Sequence, residues 1–89
     1  MGKSQSIAEV VRKEINKDDP IGLISMGTPH DEYDPEVKEI VRKISKAGGV
    51  EKLQNLVHKT FVEFFGAEIA KSKYKYKKLA SNIFNRIRA

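Results

Sequence analysis

Four stretches of this chain place apolar residues three or four positions apart, which is the spacing of a helix with one buried face. The first stretch follows two candidate N-caps, Ser4 and Ser6, and stops before Pro20, because the residue preceding a proline avoids helical backbone. We therefore predict a first helix that ends at Asp18 and Asp19. Its apolar positions are Ile7, Val10, Val11 and Ile15.

The sequence Asp34-Pro35-Glu36 predicts the start of a second helix, since aspartate is a favoured N-cap and proline is tolerated in the first helical turn. We expect Asp34 to cap this helix and the pair Gly48 and Gly49 to end it. Its apolar positions are Val37, Ile40, Val41 and Ile44.

The third stretch has the widest apolar face of the chain, and Gly66 is its expected end. It also holds most of the phenylalanines, so we expect it to form the centre of the core, because aromatic side chains bury the most area per residue. Its apolar positions are Val50, Leu53, Leu56, Val57, Phe61 and Phe64, with Phe65 beside them.

The last stretch predicts a fourth helix, with apolar positions at Tyr76, Leu79, Ala80, Ile83, Phe84 and Ile87. Between Gly66 and Tyr74 two interpretations stay open. Residues 67–70 form either a short helical turn or the beginning of the fourth helix.

These patterns predict a single all-α domain over residues 1–89: a small bundle of about four helices with one long ordered loop between helices 1 and 2. No segment alternates apolar and polar residues for long enough to predict a strand. The loop, residues 18–34, is longer than most connections between helices. We expect residues 1–4 to be disordered and the loop to pack on the bundle through Ile21, Leu23, Ile24, Met26 and Tyr33.

Composition narrows the classes of function. The chain has 89 residues and no cysteine, which excludes a disulfide scaffold, a cysteine nucleophile and a thiolate metal site. So short a chain leaves little material for an enclosed active site, so we expect a binding protein without cofactor or catalytic residues. The N-terminus lacks the pattern of a signal peptide and no stretch has the roughly 20 apolar residues of a membrane span, which favours the cytoplasm.

The long loop concentrates residue types suited to chemistry. Histidine and carboxylates near residues 30–34 are potential metal ligands, but their spacing fits no metal-binding loop, and acids are favoured near the start of a helix. We therefore predict no metal site and favour helix capping. Whether the loop is a binding surface or only a shaped connection stays open. The candidate loop surface comprises Asp19, Pro20, Ile21, Gly22, His30, Asp31, Glu32, Tyr33 and Asp34.

Charge is distributed unevenly along the chain, whose formal net charge is +5. Residues 1–44 hold seven basic and nine acidic residues, a balance of −2, whereas residues 45–89 hold ten basic and three acidic residues, a balance of +7. A basic face beside an exposed Tyr74 suits a nucleic-acid backbone, anionic lipid or an acidic protein, and equally a solvated helix face. The candidate basic face, predicted on one flank of the last helix, comprises Lys71, Lys75, Lys78 and Arg86.

Two strings in the loop carry a resemblance to a known family. They are D-P-I-G at residues 19–22 and D-E-Y-D-P-E at residues 31–36, followed later by a phenylalanine-glycine pair at residues 65–66. In these strings the chain resembles the YugE-like family of small bacterial proteins, over roughly residues 18–87. The resemblance implies an all-α fold and implies no particular activity.

The sequence therefore predicts a non-enzymatic protein-interaction module, of the adaptor or immunity type, whose partner is another protein. The alternative is a nucleic-acid-binding protein that uses the basic last helix. A third hypothesis, a metal-dependent protein or small enzyme, would use the histidine and carboxylates of the loop.

Overall fold

The computed structural model describes residues 6–27 and 32–88, so the expected disorder of residues 1–4 lies outside the described residues. Within that part of the chain the fold is all-α, as predicted, and contains no strand. Residues 67–70 form a separate short helix, which confirms the first of the two interpretations of this segment. The helices are α1 (Ile7–Asp18), α2 (Asp34–Lys43), α3 (Val50–Phe65), α4 (Ala67–Ala70) and α5 (Lys77–Arg88), with 3-10 helices at Ile44–Lys46 and Lys73–Tyr76.

Both ends of α1 are fixed by its own sequence. The Ser6 side chain accepts a hydrogen bond from the backbone N–H of Glu9, and the Glu9 side chain accepts one from the Ser6 N–H, which is a complete capping box. At the other end Asp19 adopts left-handed backbone, with φ 52°, and its N–H donates to the carbonyl of Ile15. Ser6 as N-cap and the end of the helix at Asp18 are confirmed.

The end of α2 differs from the prediction that Gly48 and Gly49 terminate it. The helix ends at Lys43 and tightens into the 3-10 helix Ile44–Lys46, after which Ala47 leaves the helical path in extended backbone. Gly49 instead precedes α3, and its carbonyl accepts the first hydrogen bond of that helix. The prediction was wrong because a glycine pair between two helices marks a break without showing which helix it belongs to.

The core lies between the four longer helices. Helix α3 packs on α5 and α2, and α1 packs on α2 and α5. Each of these helices contributes side chains that are fully removed from water, so a single core holds the described chain together. The fully buried aliphatic residues of these four helices are Val11, Ile15, Ile40, Leu53, Val57, Leu79, Ala80 and Ile83.

Phe61 of α3 stands in the middle of an aromatic cluster. The ring of Tyr33 meets it edge-on with centroids 5.9 Å apart, and the rings of Phe65 and Tyr76 stack on it at 5.8 Å and 5.4 Å. Phe64 is 46% exposed, so its predicted place in the core is wrong. Phe65, one residue later in the last turn, takes the position against Phe61 instead.

The described part of the connection between α1 and α2, residues 19–27 and 32–33, folds back on the bundle as a series of turns. Ile21, Leu23 and Ile24 are partly buried against the core, as predicted. Met26 is 74% exposed, so its predicted packing is wrong. Gly22, with φ 88°, supplies the positive φ that this turn requires and that other residues rarely adopt.

Candidate functional site

Asp19 is the hub of a hydrogen-bond network that shapes the loop after α1. Its Oδ1 accepts from the backbone N–H of Ile24 at 2.9 Å and from the Tyr33 hydroxyl at 2.7 Å. Its Oδ2 accepts from the backbone N–H of Ser25 at 2.9 Å and from the Ser25 hydroxyl at 2.7 Å. Burial alone would raise the pKa of this carboxyl, but these hydrogen bonds outweigh it and lower the pKa of Asp19 to about 2.

Tyr33 closes the same network from the other end of the loop. While its hydroxyl donates to Asp19, the oxygen accepts from the backbone N–H of Ile21 at 3.1 Å and of Leu23 at 3.4 Å. Burial and the hydrogen bond to the Asp19 carboxylate raise the pKa of Tyr33 to about 12. The side chain is fully buried, so ring and hydroxyl together fasten the loop to the core.

The candidate loop surface therefore divides into inward and outward members. Pro20 is buried, Ile21 and Gly22 are partly buried, and the polar atoms of Asp19 and Tyr33 are engaged within the loop. Glu32 is exposed. His30 and Asp31 lie outside the described residues. The described part of the D-P-I-G and D-E-Y-D strings shapes the connection between α1 and α2.

Asp34 does not cap α2, in contrast to the prediction. The helix begins at Asp34 itself, Tyr33 occupies the N-cap position, and the Tyr33 side chain makes no capping hydrogen bond to the described residues. The Asp34 Oδ2 instead accepts from Nη2 of Arg12 on α1, at 2.9 Å. A shift of one residue in the helix start turns the carboxylate towards α1, where a cation is available.

A groove runs between α1 and α2 beside this ion pair, and we call it the α1–α2 groove. Its volume is about 390 Å³ and it is open to solvent. The apolar lining residues are Ala8, Val37 and Val41. The charged lining residues are Glu9, Arg12, Asp34, Lys38 and Arg42. An apolar floor with a charged rim is the usual make-up of a surface that binds another molecule.

Glu36, in the first turn of α2, is the least stabilised carboxyl group of this region. The side chain is 4% exposed, and its Oε1 has no hydrogen-bond partner among the described residues. Burial raises the pKa of Glu36, the bond to its own backbone N–H opposes the rise, and the nearby charges of Glu32 and Asp34 add to it. The group is therefore held in an environment that disfavours its charge.

The predicted basic face does not lie on one flank of one helix. Lys71 precedes the 3-10 helix Lys73–Tyr76 with a positive φ of 70°, Lys75 lies within that helix, and Lys78 and Arg86 lie on α5. The prediction assumed an unbroken helix from residue 71. The chain instead turns there and then tightens to three residues per turn, which changes the direction of each side chain.

Much of this positive charge faces acids of α1. Nη1 of Arg86 donates to Oε2 of Glu14 at 2.9 Å, and Glu14 is 3% exposed. Burial raises the pKa of Asp18, and the charges of Lys75 and Lys78 offset part of that rise, which places both lysines near the end of α1. The predicted face is therefore partly neutralised within the molecule.

Side chains of α3 hold the backbone that joins α4 to α5, a role that the sequence did not reveal. Nε2 of Gln54 donates to the carbonyl of Lys73 at 2.8 Å, and Nε2 of His58 donates to that of Lys71 at 2.9 Å. The Tyr76 hydroxyl donates to the last carbonyl of α4 at 2.6 Å. The available signal was the spacing of four between Gln54 and His58, which puts two polar side chains on one face beside the apolar stripe.

Comparison of the chain with protein-family models, curated proteins and solved structures found no significant match. The resemblance to the YugE-like family stays a prediction. No helix in the described part of the chain is long and apolar enough to cross a bilayer. Across residues 6–27 and 32–88, no three histidine, aspartate or glutamate side chains converge as metal ligands would.

Proposed function

We propose that this chain is a non-enzymatic protein-interaction module that binds an amphipathic helix of another protein in the α1–α2 groove. The observation that carries the proposal is the open groove of about 390 Å³ with an apolar floor and a charged rim. Such grooves accept the apolar face of a partner helix while their rims select its charges.

The walls of the groove favour a helix as its occupant. Val37 and Val41 are four positions apart on α2, so they form one ridge of that helix. A third helix packs into the furrow between two such neighbours by the same ridge-and-groove geometry that forms the bundle. A peptide that binds by adding a strand to a sheet would need a free strand edge, and the described residues contain no strand.

The rim charges define the chemistry of the partner. Lys38 and Arg42 stand on the α2 side and Glu9 stands on the α1 side. Arg42 forms an ion pair with Glu39, with 2.9 Å between Nη2 and Oε2, whereas Lys38 has no ion pair within the described part of the chain. A partner helix with acids towards α2 and an apolar stripe below them complements this surface.

The loop network supports the groove from one end. Asp19 and Tyr33 fix the length and direction of the connection between α1 and α2, and the ion pair between Arg12 and Asp34 links the two helices directly. In this proposal the distinctive loop residues position the groove walls, and the groove makes the contact.

Site-specific photo-crosslinking tests the proposal. A benzophenone side chain at Ala8, which is exposed and lines the groove, is expected to crosslink one protein species in cells that express the chain naturally. The same group at Lys17, which is exposed on α1 but does not line the groove, is the matched control. The proposal fails if position 8 captures nothing beyond what position 17 captures.

A further inference from the structure

A second cleft lies on the basic side of the molecule, between the start of α3 and the 3-10 helix before α5. Its volume is about 410 Å³, and we call it the basic cleft. Gln54 lines it and pins the 3-10 helix to α3 through the carbonyl of Lys73. The other lining residues are Val50, Glu51, Asn55, Lys73, Tyr74 and Lys77.

Lys73 and Lys77 are the two cations of this cleft. Arg86 is bonded to Glu14, and the charges of Lys75 and Lys78 act on Asp18. The ammonium groups of Lys73 and Lys77 have no ion pair within the described part of the chain. From residue 69 to residue 89 the sequence has seven basic residues and no acidic residue, so positive potential extends along this side.

Tyr74 places an aromatic ring among these charges. It is 74% exposed, against 46% for Phe64, and Nζ of Lys73 lies 5.9 Å from its ring centroid. The ring contributes nothing to the core, which is built on Tyr33 and Tyr76 instead. An exposed ring beside unpaired lysines is the arrangement by which proteins hold single strands, with bases stacked on the ring and phosphates near the cations.

We propose that the basic cleft binds single-stranded nucleic acid, with Tyr74 stacked on a base and Lys73 and Lys77 near the flanking phosphates. A single strand is favoured over a duplex because only unpaired bases offer their faces for stacking. Nucleic acid is favoured over an acidic protein because lysine is depleted in protein interfaces and positive charge is enriched in those with nucleic acid. The site is separate from the α1–α2 groove, so neither proposal depends on the other.

Glu51 gives the cleft a direction. Glu51 lies on the α3 side of the cleft, where its carboxylate repels phosphate. The phosphate backbone of the bound nucleic acid therefore follows the opposite side, beside Lys73 and Lys77. Replacing it with glutamine removes the repulsion without altering the lysines. The proposal therefore predicts that Glu51→Gln binds more tightly than the unmodified chain.

Fluorescence anisotropy with a labelled oligothymidylate of about 12 nucleotides, titrated at several salt concentrations, tests the site. We expect Tyr74→Ala to weaken binding about tenfold, since it removes the stacking of one base on this ring. Lys73→Gln with Lys77→Gln is expected to reduce the slope of log affinity against log salt by about 1.4, or 0.7 for each phosphate that is no longer neutralised. Circular dichroism checks that these variants of surface residues keep their helices.

Two comparisons make the result decisive. The control variant, Lys75→Gln with Lys78→Gln, removes the same amount of charge from the two lysines whose charges act on Asp18. It is expected to change the salt slope and the affinity far less than the cleft variant does. Polyglutamate of similar length is expected to compete poorly, because it has no bases to stack. The proposal is overturned if the oligonucleotide does not bind at low salt, if the two lysine pairs behave alike, or if polyglutamate competes equally well.

Discussion

At the scale of single residues, the surroundings of two carboxyl groups shift their pKa values in opposite directions. The Asp19 carboxylate gains hydrogen bonds from Ile24, Ser25 and Tyr33, which stabilise its charge and lower its pKa. Glu36 is buried with one oxygen unpartnered, and its pKa is raised. The first group holds the loop in place, whereas the second destabilises the fold at neutral pH.

Replacing Asp19 with alanine removes the acceptor that these donors share. We expect the free energy of unfolding at neutral pH to fall by roughly 1–3 kcal/mol, because the part-buried donors of Ile24 and Tyr33 lose their partner and keep their desolvation cost. Urea unfolding followed by circular dichroism measures the change. Glu63→Ala, which removes an exposed carboxylate from α3, is expected to stay within about 0.5 kcal/mol of the unmodified chain. Equal stabilities of the two variants would contradict the network.

The same group predicts how stability depends on acid. The pKa of Asp19 is about 2 in the folded chain against an ordinary value of 3.8, so the folded state binds this proton less readily than the unfolded state. Its contribution is therefore complete above pH 3.8 and is lost as the pH falls from 3.8 towards 2. Between these pH values the unmodified chain is expected to lose more stability than Asp19→Ala. Parallel pH curves for the two proteins would show that Asp19 does not carry this dependence.

Glu36 carries the opposite pH dependence. The pKa of Glu36 is raised in the folded state, so its protonated form contributes stability below pH 4.5. That stability is lost as the pH rises through the folded-state pKa of Glu36. Glu36→Met, which has no polar atom to leave unpaired, is expected to be about 1 kcal/mol more stable than the unmodified chain at neutral pH. This advantage is expected to shrink below pH 4.5.

Glu39, one turn further along α2, is the matched control for Glu36. Hydrogen bonds from Lys43 and Arg42 lower the pKa of Glu39, so its charge is stabilised. Glu39→Met is therefore expected to lose stability at neutral pH where Glu36→Met gains it. Thermal unfolding of the two variants at neutral pH measures both, and shifts of the same sign would contradict the assignment.

At the scale of elements, α1 and α5 are joined by one ion pair that reaches into the core. Glu14 is 3% exposed, and Arg86 of α5 supplies the charge that permits its burial. Arg86 remains 40% exposed, so water reaches one side of the pair. A buried charge that loses its partner is strongly destabilising, whereas an apolar pair of similar volume is tolerated.

The substitution Arg86→Met tests this link between the helices. We expect it to lower the free energy of unfolding by roughly 2–3 kcal/mol, because it leaves the Glu14 carboxylate buried and alone. The double variant Glu14→Met with Arg86→Met is expected to recover most of that loss. A double-mutant cycle in urea gives the coupling energy, and a coupling near zero would mean that the pair does not join α1 to α5.

The helices themselves could be predicted from sequence, because their apolar periodicity and the cap at Ser6 depend on neighbouring residues alone. The roles of Asp34 and Arg86 could not. Asp34 bonds a residue 22 positions away and Arg86 bonds one 72 positions away, and no local pattern reports such contacts. The sequence singled out the loop strings correctly as distinctive, but their hydrogen bonds within the loop appear only in three dimensions.

At the scale of the whole molecule, one core and an uneven charge distribution define the protein. Because every long helix contributes to the same core, we expect one cooperative unfolding transition. The chain has no tryptophan, so the fluorescence of buried Tyr33 and Tyr76 reports the core. Tyrosine fluorescence and far-UV circular dichroism are expected to share one urea midpoint, and separate midpoints would contradict a single unit.

The two open surfaces lie on different elements of this unit. The α1–α2 groove belongs to the half of the chain with a balance of −2, and the basic cleft belongs to the half with a balance of +7. Net charge alone would have assigned any binding to the lysines. In the two proposals, a protein partner occupies the apolar groove and single-stranded nucleic acid occupies the cleft that holds Tyr74.

The claim that the α1–α2 groove is the contact surface is tested most directly by the affinity of the purified chain for the partner that position 8 captures. Ala8→Glu places a charge in the groove, and Lys17→Gln makes the same change in net charge elsewhere on α1. Isothermal titration calorimetry is expected to show binding weakened at least about tenfold by Ala8→Glu, or 1.4 kcal/mol, and unchanged by Lys17→Gln. Equal affinities for Ala8→Glu and the unmodified chain, with both folded, would contradict the account.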